Sequence, residues 1–205
     1  MDVVVVKKIL VDELNFTNEN IEKLSIFHNE LINYNKEYNL ISKNTENDVW
    51  ERHILDSAQI LKFIELDIPG TIADLGSGGG FPGIIIAIFT QKRGFHVKLY
   101  EKSPVKRIFL QLVIDKLNLN VKVESNIELL SHLEADYIVC RAFKKIPEIL
   151  RISREIFKKP HQILILKGKN AQTEINKVLK HQTLRYKMES SITDKDSKII
   201  IINVK

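Results

Sequence analysis

The stretch Gly76-Ser77-Gly78-Gly79-Gly80-Phe81-Pro82-Gly83 gathers five of the chain's eight glycines between two apolar runs. Before it stands Thr71-Ile72-Ala73-Asp74-Leu75, short and apolar enough for a buried strand. After it, Ile84-Ile85-Ile86-Ala87-Ile88-Phe89 follows Pro82, a residue suited to a helix's first turn because its missing N–H would have no partner there. Strand, glycine turn and helix make the opening unit of a doubly wound sheet, in which ligands bind beyond the carboxyl ends of the strands. A ligand is therefore expected against these glycines.

Residues 78–83 satisfy Gly-x-Gly-x-x-Gly, so a dinucleotide is one reading, and a turn that binds nothing is another. Asp74 argues for a third. A carboxylate at the strand end, expected to face the ligand, repels a pyrophosphate and attracts a cation. S-adenosylmethionine carries a sulfonium and an ammonium and no phosphate, and is the preferred cofactor. No Gly-Lys-Ser/Thr follows the turn, which excludes a P-loop.

The rest of the chain alternates strands and helices, the signature of a mostly parallel sheet. Strands are expected at 96–101, 121–124, 137–141, 163–167, near 185–189 and at 198–203, for about seven in all. The predicted fold is α/β, a doubly wound Rossmann-like sheet with an N-terminal helical extension. Residues 1–66 form the extension and 67–205 the cofactor-binding domain, with Pro69-Gly70 at the boundary. Within the extension, Ile21, Leu24, Phe27, Leu31 and Tyr34 recur at helix spacing, and a second helix is predicted over about 46–63. After the second strand, a helix from Ser103-Pro104 to about Leu117 should turn Ile108, Leu112 and Leu117 inward.

A single cysteine, Cys140, forbids an intrachain disulfide and fits a reducing compartment, so a cytoplasmic protein without a membrane partner is expected. The formal charge of +5 points to an acidic partner, and nucleic acid is the common one. The position of the basic residues sharpens this. Lys102, Lys106 and Arg107 follow the second strand, Arg141, Lys144 and Lys145 close or follow the fourth, and Lys167 and Lys169 close or follow the fifth. All lie at carboxyl ends of strands, where phosphate contacts would be independent of sequence and weakened by salt.

Four further groups stand out. Glu101, ending the second strand, occupies the position whose acid accepts ribose hydroxyls in nucleoside binders. Asn126-Ile127-Glu128 follows the third strand and could border an adenine. Arg141 points at the ligand crevice, while Cys140, one residue earlier, should face the opposite side and be buried. Arg52-His53-Ile54-Leu55-Asp56-Ser57 sets four polar groups on an otherwise apolar helix, with Arg52–Asp56 and His53–Ser57 four apart and able to pair. No Cys, His, Asp or Glu set has metal-ligand spacing, so no metal is expected.

Taken together, the Arg52-His53-x-x-Asp56-Ser57 helix, Asp74-Leu-Gly76-Ser-Gly78-Gly-Gly80-Phe81-Pro82-Gly83, Ser103-Pro-Val-Lys106-Arg107, Arg141-Ala142-Phe143 and Lys167-Gly168 resemble the RsmG (GidB) family over residues 20 to 205. The family comprises bacterial 16S rRNA guanine-N7 methyltransferases, so the resemblance implies a class I methyltransferase fold. It also implies methyl transfer from S-adenosylmethionine to N7 of one guanine in the decoding-region loop of the small-subunit RNA. By motif match Gly76, Phe81, Ile127, Glu128 and Arg141 would contact the cofactor, joined on the residue reading by Asp74, Gly78 and Glu101. The chain has Glu101 where the family usually has aspartate, and Gly79 where proline is frequent. Arg52, His53, Lys106, Arg107, Lys144, Lys145 and Lys167 are the expected RNA contacts, and a monomer is expected to act on 16S rRNA or the small subunit. N7 of guanine has no proton to lose, so no general base is expected. A cofactor-binding assembly factor without catalysis and an NAD-linked oxidoreductase are the alternatives.

Overall fold

A computed structural model describes residues 1–129, 131–180 and 183–205. It contains a seven-stranded sheet in the order β3-β2-β1-β4-β5-β7-β6. The strands are β1 (Thr71–Leu75), β2 (His96–Tyr100), β3 (Val121–Glu124), β4 (Tyr137–Arg141), β5 (His161–Lys167), β6 (Tyr186–Ser190) and β7 (Lys198–Val204). The first five run parallel, and β7 enters antiparallel between β5 and β6. Buried parallel strands must be apolar on both faces, which is why Ile72–Leu75, Ile138–Cys140 and Ile163–Leu166 read as apolar runs. The order reverses between β1 and β4, and the ligand crevice of such sheets opens at that point.

Two layers of helix cover the sheet. Helices α4 (Gly83–Thr90) and α5 (Pro104–Leu117) lie on one face, and α6 (Ile146–Ile156) and α7 (Ala171–Leu179) on the other. The extension adds α1 (Val3–Asp12) and α2 (Asn18–Asn35), the latter packed on α4 and α5. Thr17 caps α2, accepting the Asn20 N–H while the Asn20 side chain accepts its own N–H in return. Buried between two layers, every residue of α4 is inaccessible. Its apolar side chains form one cluster with Val6, Leu10, Leu24, Phe27 and Leu31 of the extension.

Two expectations change. The predicted helix over 46–63 is helical but not regular: Lys43–Asp48 is a 3-10 turn, Trp50–Leu55 a π turn, α3 (Asp56–Ala58) a single α turn and Gln59–Phe63 again 3-10. In α5 the inward stripe is Phe109, Leu110, Val113, Ile114 and Leu117; Ile108 and Leu112 point outward, 60% and 37% exposed.

Candidate active site

At the carboxyl ends of β1, β2 and β4 lies a cleft of about 430 Å³. Its floor is the glycine turn. Gly76 leaves β1 with φ +74°, a left-handed conformation that strains residues with a Cβ, and donates its N–H to the Tyr100 carbonyl at 2.8 Å. A Cβ there would stand 2.4 Å from Cδ2 of Phe143, so the Phe143 ring closes directly over the turn. Phe143 reaches this position because Ala142, just past β4, also takes a left-handed φ of +50°.

Asp74 does not face the cleft, contrary to the sequence reading. It is fully buried beneath α4, where Oδ2 accepts the Gly83 N–H at 3.0 Å. Gly83 admits that approach because it has no side chain: a Cβ would sit 2.5 Å from Oδ2 and 2.2 Å from Leu99 Cδ2. Among the described residues Oδ1 has no hydrogen-bond partner. Burial, only partly offset by the Gly83 N–H, pushes the Asp74 carboxyl up to about 7.

Glu101 does line the cleft, 7% exposed. Its Oε2 accepts the Gly78 N–H and its Oε1 the Ser103 N–H, both at 2.8 Å. The carboxylate thus joins the glycine turn to the start of α5, and each oxygen keeps a second lone pair. Ile127 and Glu128 also line the cleft, as do Asn126 and Phe81. Glu128 pairs with Lys144 at 3.0 Å, and Lys144 with Glu148 at 2.6 Å.

Leu40, Ile41 and His53 bring the extension into the cleft wall. Asn35 holds the first two, its Oδ1 accepting the Leu40 and Ile41 N–H groups at 2.7 and 2.9 Å. His53 packs on Phe81 with ring centres 5.0 Å apart and shares a hydrogen bond with Thr45 through Nε2 at 2.9 Å. Burial, with Arg141 and Arg52 nearby, lowers its pKa to about 3, so it is a neutral imidazole at physiological pH and no phosphate-binding cation.

The expected Arg52–Asp56 and His53–Ser57 pairs are not what Asp56 and His53 make. Asp56 Oδ2 faces Arg141 Nε at 3.3 Å, and Oδ1 accepts from Gln59 and Thr193. The π turn explains the second hold on Arg141. The Asp56 N–H goes to the carbonyls of Glu51 and His53, and the Arg52 carbonyl accepts Arg141 Nη2 at 2.8 Å. Arg141 Nη1 is buried without a partner among the described residues. Cys140 is buried on the opposite face, where burial pushes its thiol well up, and it makes no nucleophile.

The basic residues divide. Arg52, Lys102, Lys145 and Lys169 are exposed, and Lys106 lines the cleft. Arg107 instead donates to the carbonyls of Glu101 and Lys102, fixing the β2–α5 turn. Lys167, mostly buried, bonds the Lys144 carbonyl and pairs with Glu174 at 3.0 Å. These last two are structural ties in the free protein. The sequence reading missed Leu40 and Ile41, which lie in an unremarkable polar turn, and Thr193 and Asp194, which line an adjoining cleft from the β6–β7 loop.

Residues 20–201 match the family model described as GidB, rRNA small subunit methyltransferase G. The chain belongs to that family. It is 37% identical over 201 residues to the ribosomal RNA small subunit methyltransferase G of Pelagibacter ubique, covering 96% of this chain and 93% of that one. To the protein of the same name from Rickettsia akari it is 35% identical over 191 residues, covering 93% and 97%. The fold is that of a SAM dependent methyltransferase from Aquifex aeolicus, with a TM-score of 0.58 at 16% identity over 73% of this chain and 89% of that one. Among the described residues no helix is long and apolar enough to cross a membrane, and no three His, Cys, Asp or Glu side chains are placed to hold a metal.

Proposed function

We propose that this member of the rRNA small subunit methyltransferase G family transfers a methyl group from S-adenosylmethionine to N7 of a single guanine in the decoding-region loop of 16S rRNA. The observation that carries the cofactor is the Asp74–Gly83 bond. A pyrophosphate needs free N–H groups at the helix start. Here the leading N–H of α4 is committed to the buried Asp74 carboxyl and is not free for a phosphate. A nucleoside bearing cations fits the same place without that need.

The donor set suits such a nucleoside. Glu101 offers its remaining lone pairs to ribose hydroxyls, and Asn126 and Ile127 border the place of a flat base. Gly76 and Gly78 let the backbone come close, while Phe81 and the Arg141 guanidinium, 5.6 Å from its ring centre, form the far wall. When bound, the cofactor supplies an electrophilic methyl group on a sulfonium. The chain's own contribution is alignment. N7 is a lone-pair nucleophile, so no residue has to remove a proton, and rate comes from holding the base in line. Neutral His53 suits a base that becomes cationic on methylation.

Exposed Arg52, Lys102 and Lys145 are the RNA contacts we favour, with Lys106 at the mouth. In paired RNA the N7 edge lies in a groove too deep and narrow for side chains, so the target guanine must be unpaired or opened. Calorimetry tests the cofactor: S-adenosylmethionine is expected to bind and NADH not to, and the reverse would restore the oxidoreductase reading. Transfer of labelled methyl to small-subunit RNA separates an enzyme from an assembly factor that only binds the cofactor.

A further inference from the structure

Beside the first cleft lies a second of about 240 Å³. His53, Arg141 and Ala142 line both. The strand order gives the layout: the first cleft stands over β2, β1 and β4, the second runs from β4 across β5 to β7, and Arg141 at the end of β4 is the partition. This volume is below the roughly 300–1,000 Å³ of drug-sized sites. It suits one flat ring system.

Resting on the function proposed above, we infer that the second cleft receives the target base, with Asp194 reading the N1–H and N2 amino edge of guanine and Arg141 its O6 edge. The methyl donor belongs in the first cleft, so N7 must face the partition. O6 lies on the same edge as N7, and both are acceptors. The partition therefore has to present a donor. Arg141, which lines both clefts, has one to spare: Nε is engaged by Asp56 and Nη2 by the Arg52 carbonyl, while Nη1 is buried without a partner among the described residues and must turn outward to meet O6.

The other edge of guanine carries the N1 and N2 protons and needs an acceptor on the β7 side. Two carboxylates line the second cleft. Asp56 is committed through both oxygens, to Arg141 on one and to Gln59 and Thr193 on the other. Asp194, exposed on the β6–β7 loop, uses Oδ1 for the Asp196 N–H at 2.8 Å and keeps Oδ2. Adenine would set an amino group against Arg141 and bring no N1 proton to Asp194, a mismatch at both edges. Arg52 and Lys198 line the same cleft and offer positive charge to the phosphates that flank the base.

The test uses small subunits assembled with 16S RNA carrying either guanine or inosine at the methylated position. Inosine keeps N7, O6 and N1–H and lacks only the N2 amino group. Wild-type kcat/KM is expected to favour guanine by about tenfold. Asp194→Ala should bring guanine down towards inosine and the ratio close to one, with S-adenosylmethionine affinity by calorimetry unchanged. Asp194→Asn keeps an acceptor for the Asp196 turn but replaces a pure acceptor with an amide, and should also reduce the ratio if Asp194→Ala fails to fold. A wild-type ratio near one, or a full ratio retained in the variants, overturns the assignment. Methyl transfer to neither RNA by the wild type would instead overturn the function on which it rests.

Discussion

The Gly83 amide donates to the Asp74 carboxylate at 3.0 Å, tying the end of β1 to the start of α4 beneath the glycine turn. The residue that the sequence marks as a ligand contact is thus a buried brace, and its influence on the cleft is electrostatic. Its unpartnered Oδ1 leaves the carboxylate poorly solvated, and the folded-state pKa of about 7 stands above the ordinary 3.8.

The sign of the pH dependence follows. Between about 4 and about 7 the folded chain holds a proton at Asp74 that the unfolded chain has released, so stability from this group is greatest at the acid end and is lost as pH rises through the window. Urea unfolding across that range should show Asp74→Asn with a flatter stability profile than wild type. A cationic cofactor favours the carboxylate form, so binding should expel the proton and strengthen as pH rises towards about 7. Calorimetry in two buffers of different ionisation enthalpy reads the proton directly, and Asp74→Asn should abolish its release.

Gly76→Ala should remove cofactor binding. The added methyl meets Phe143 Cδ2 at 2.4 Å, and φ +74° costs an alanine about 1–2 kcal/mol. Gly76→Ala combined with Phe143→Ala relieves the clash but not the backbone strain. Partial recovery of affinity in the double variant, measured by calorimetry, is the expected outcome.

Asp56→Ala is expected to cost about 3 kcal/mol, because it leaves the Arg141 guanidinium without its counter-charge at a mostly buried site. The same change unties Thr193 from the extension, so the β6–β7 loop should gain hydrogen-exchange rate while the core strands do not.

Basic residues should fall into two classes in RNA-binding titrations. Lys102→Ala and Lys145→Ala, both at exposed positions, should each lower the slope of log affinity against log salt by about 0.7–0.9. Lys167→Ala should leave the slope nearly unchanged and lower stability by about 2 kcal/mol, since its partner Glu174 is mostly buried and also accepts the Ile146 N–H that opens α6.

The strand positions were legible because buried parallel strands are apolar on both faces, and Ile72–Leu75 and Ile163–Leu166 declare themselves without context. Helix orientation was not. In α5 the pair Ile108 and Leu112 satisfies helical spacing as well as Phe109 and Val113 do, and only contact with the sheet selects the second. Gly76, Gly78, Glu101, Ile127, Glu128 and Arg141 were readable as cleft residues because strand ends and the glycine turn fix their places, and Phe81 entered through the family resemblance. Asp74 was misread because local sequence does not say that α4 descends onto it. Thr193 and Asp194 carry no local signature; Thr193 meets Asp56 across 137 positions, which only the antiparallel insertion of β7 brings about.

The most direct measurement is to incubate the protein with labelled S-adenosylmethionine and small subunits lacking this methylation, then locate N7-methylguanine by chemical cleavage of the RNA. Label at one guanine in the decoding-region loop is the expected result. Label at another atom, spread over many guanines, or absent from both subunits and free 16S RNA despite measured cofactor binding, would contradict it.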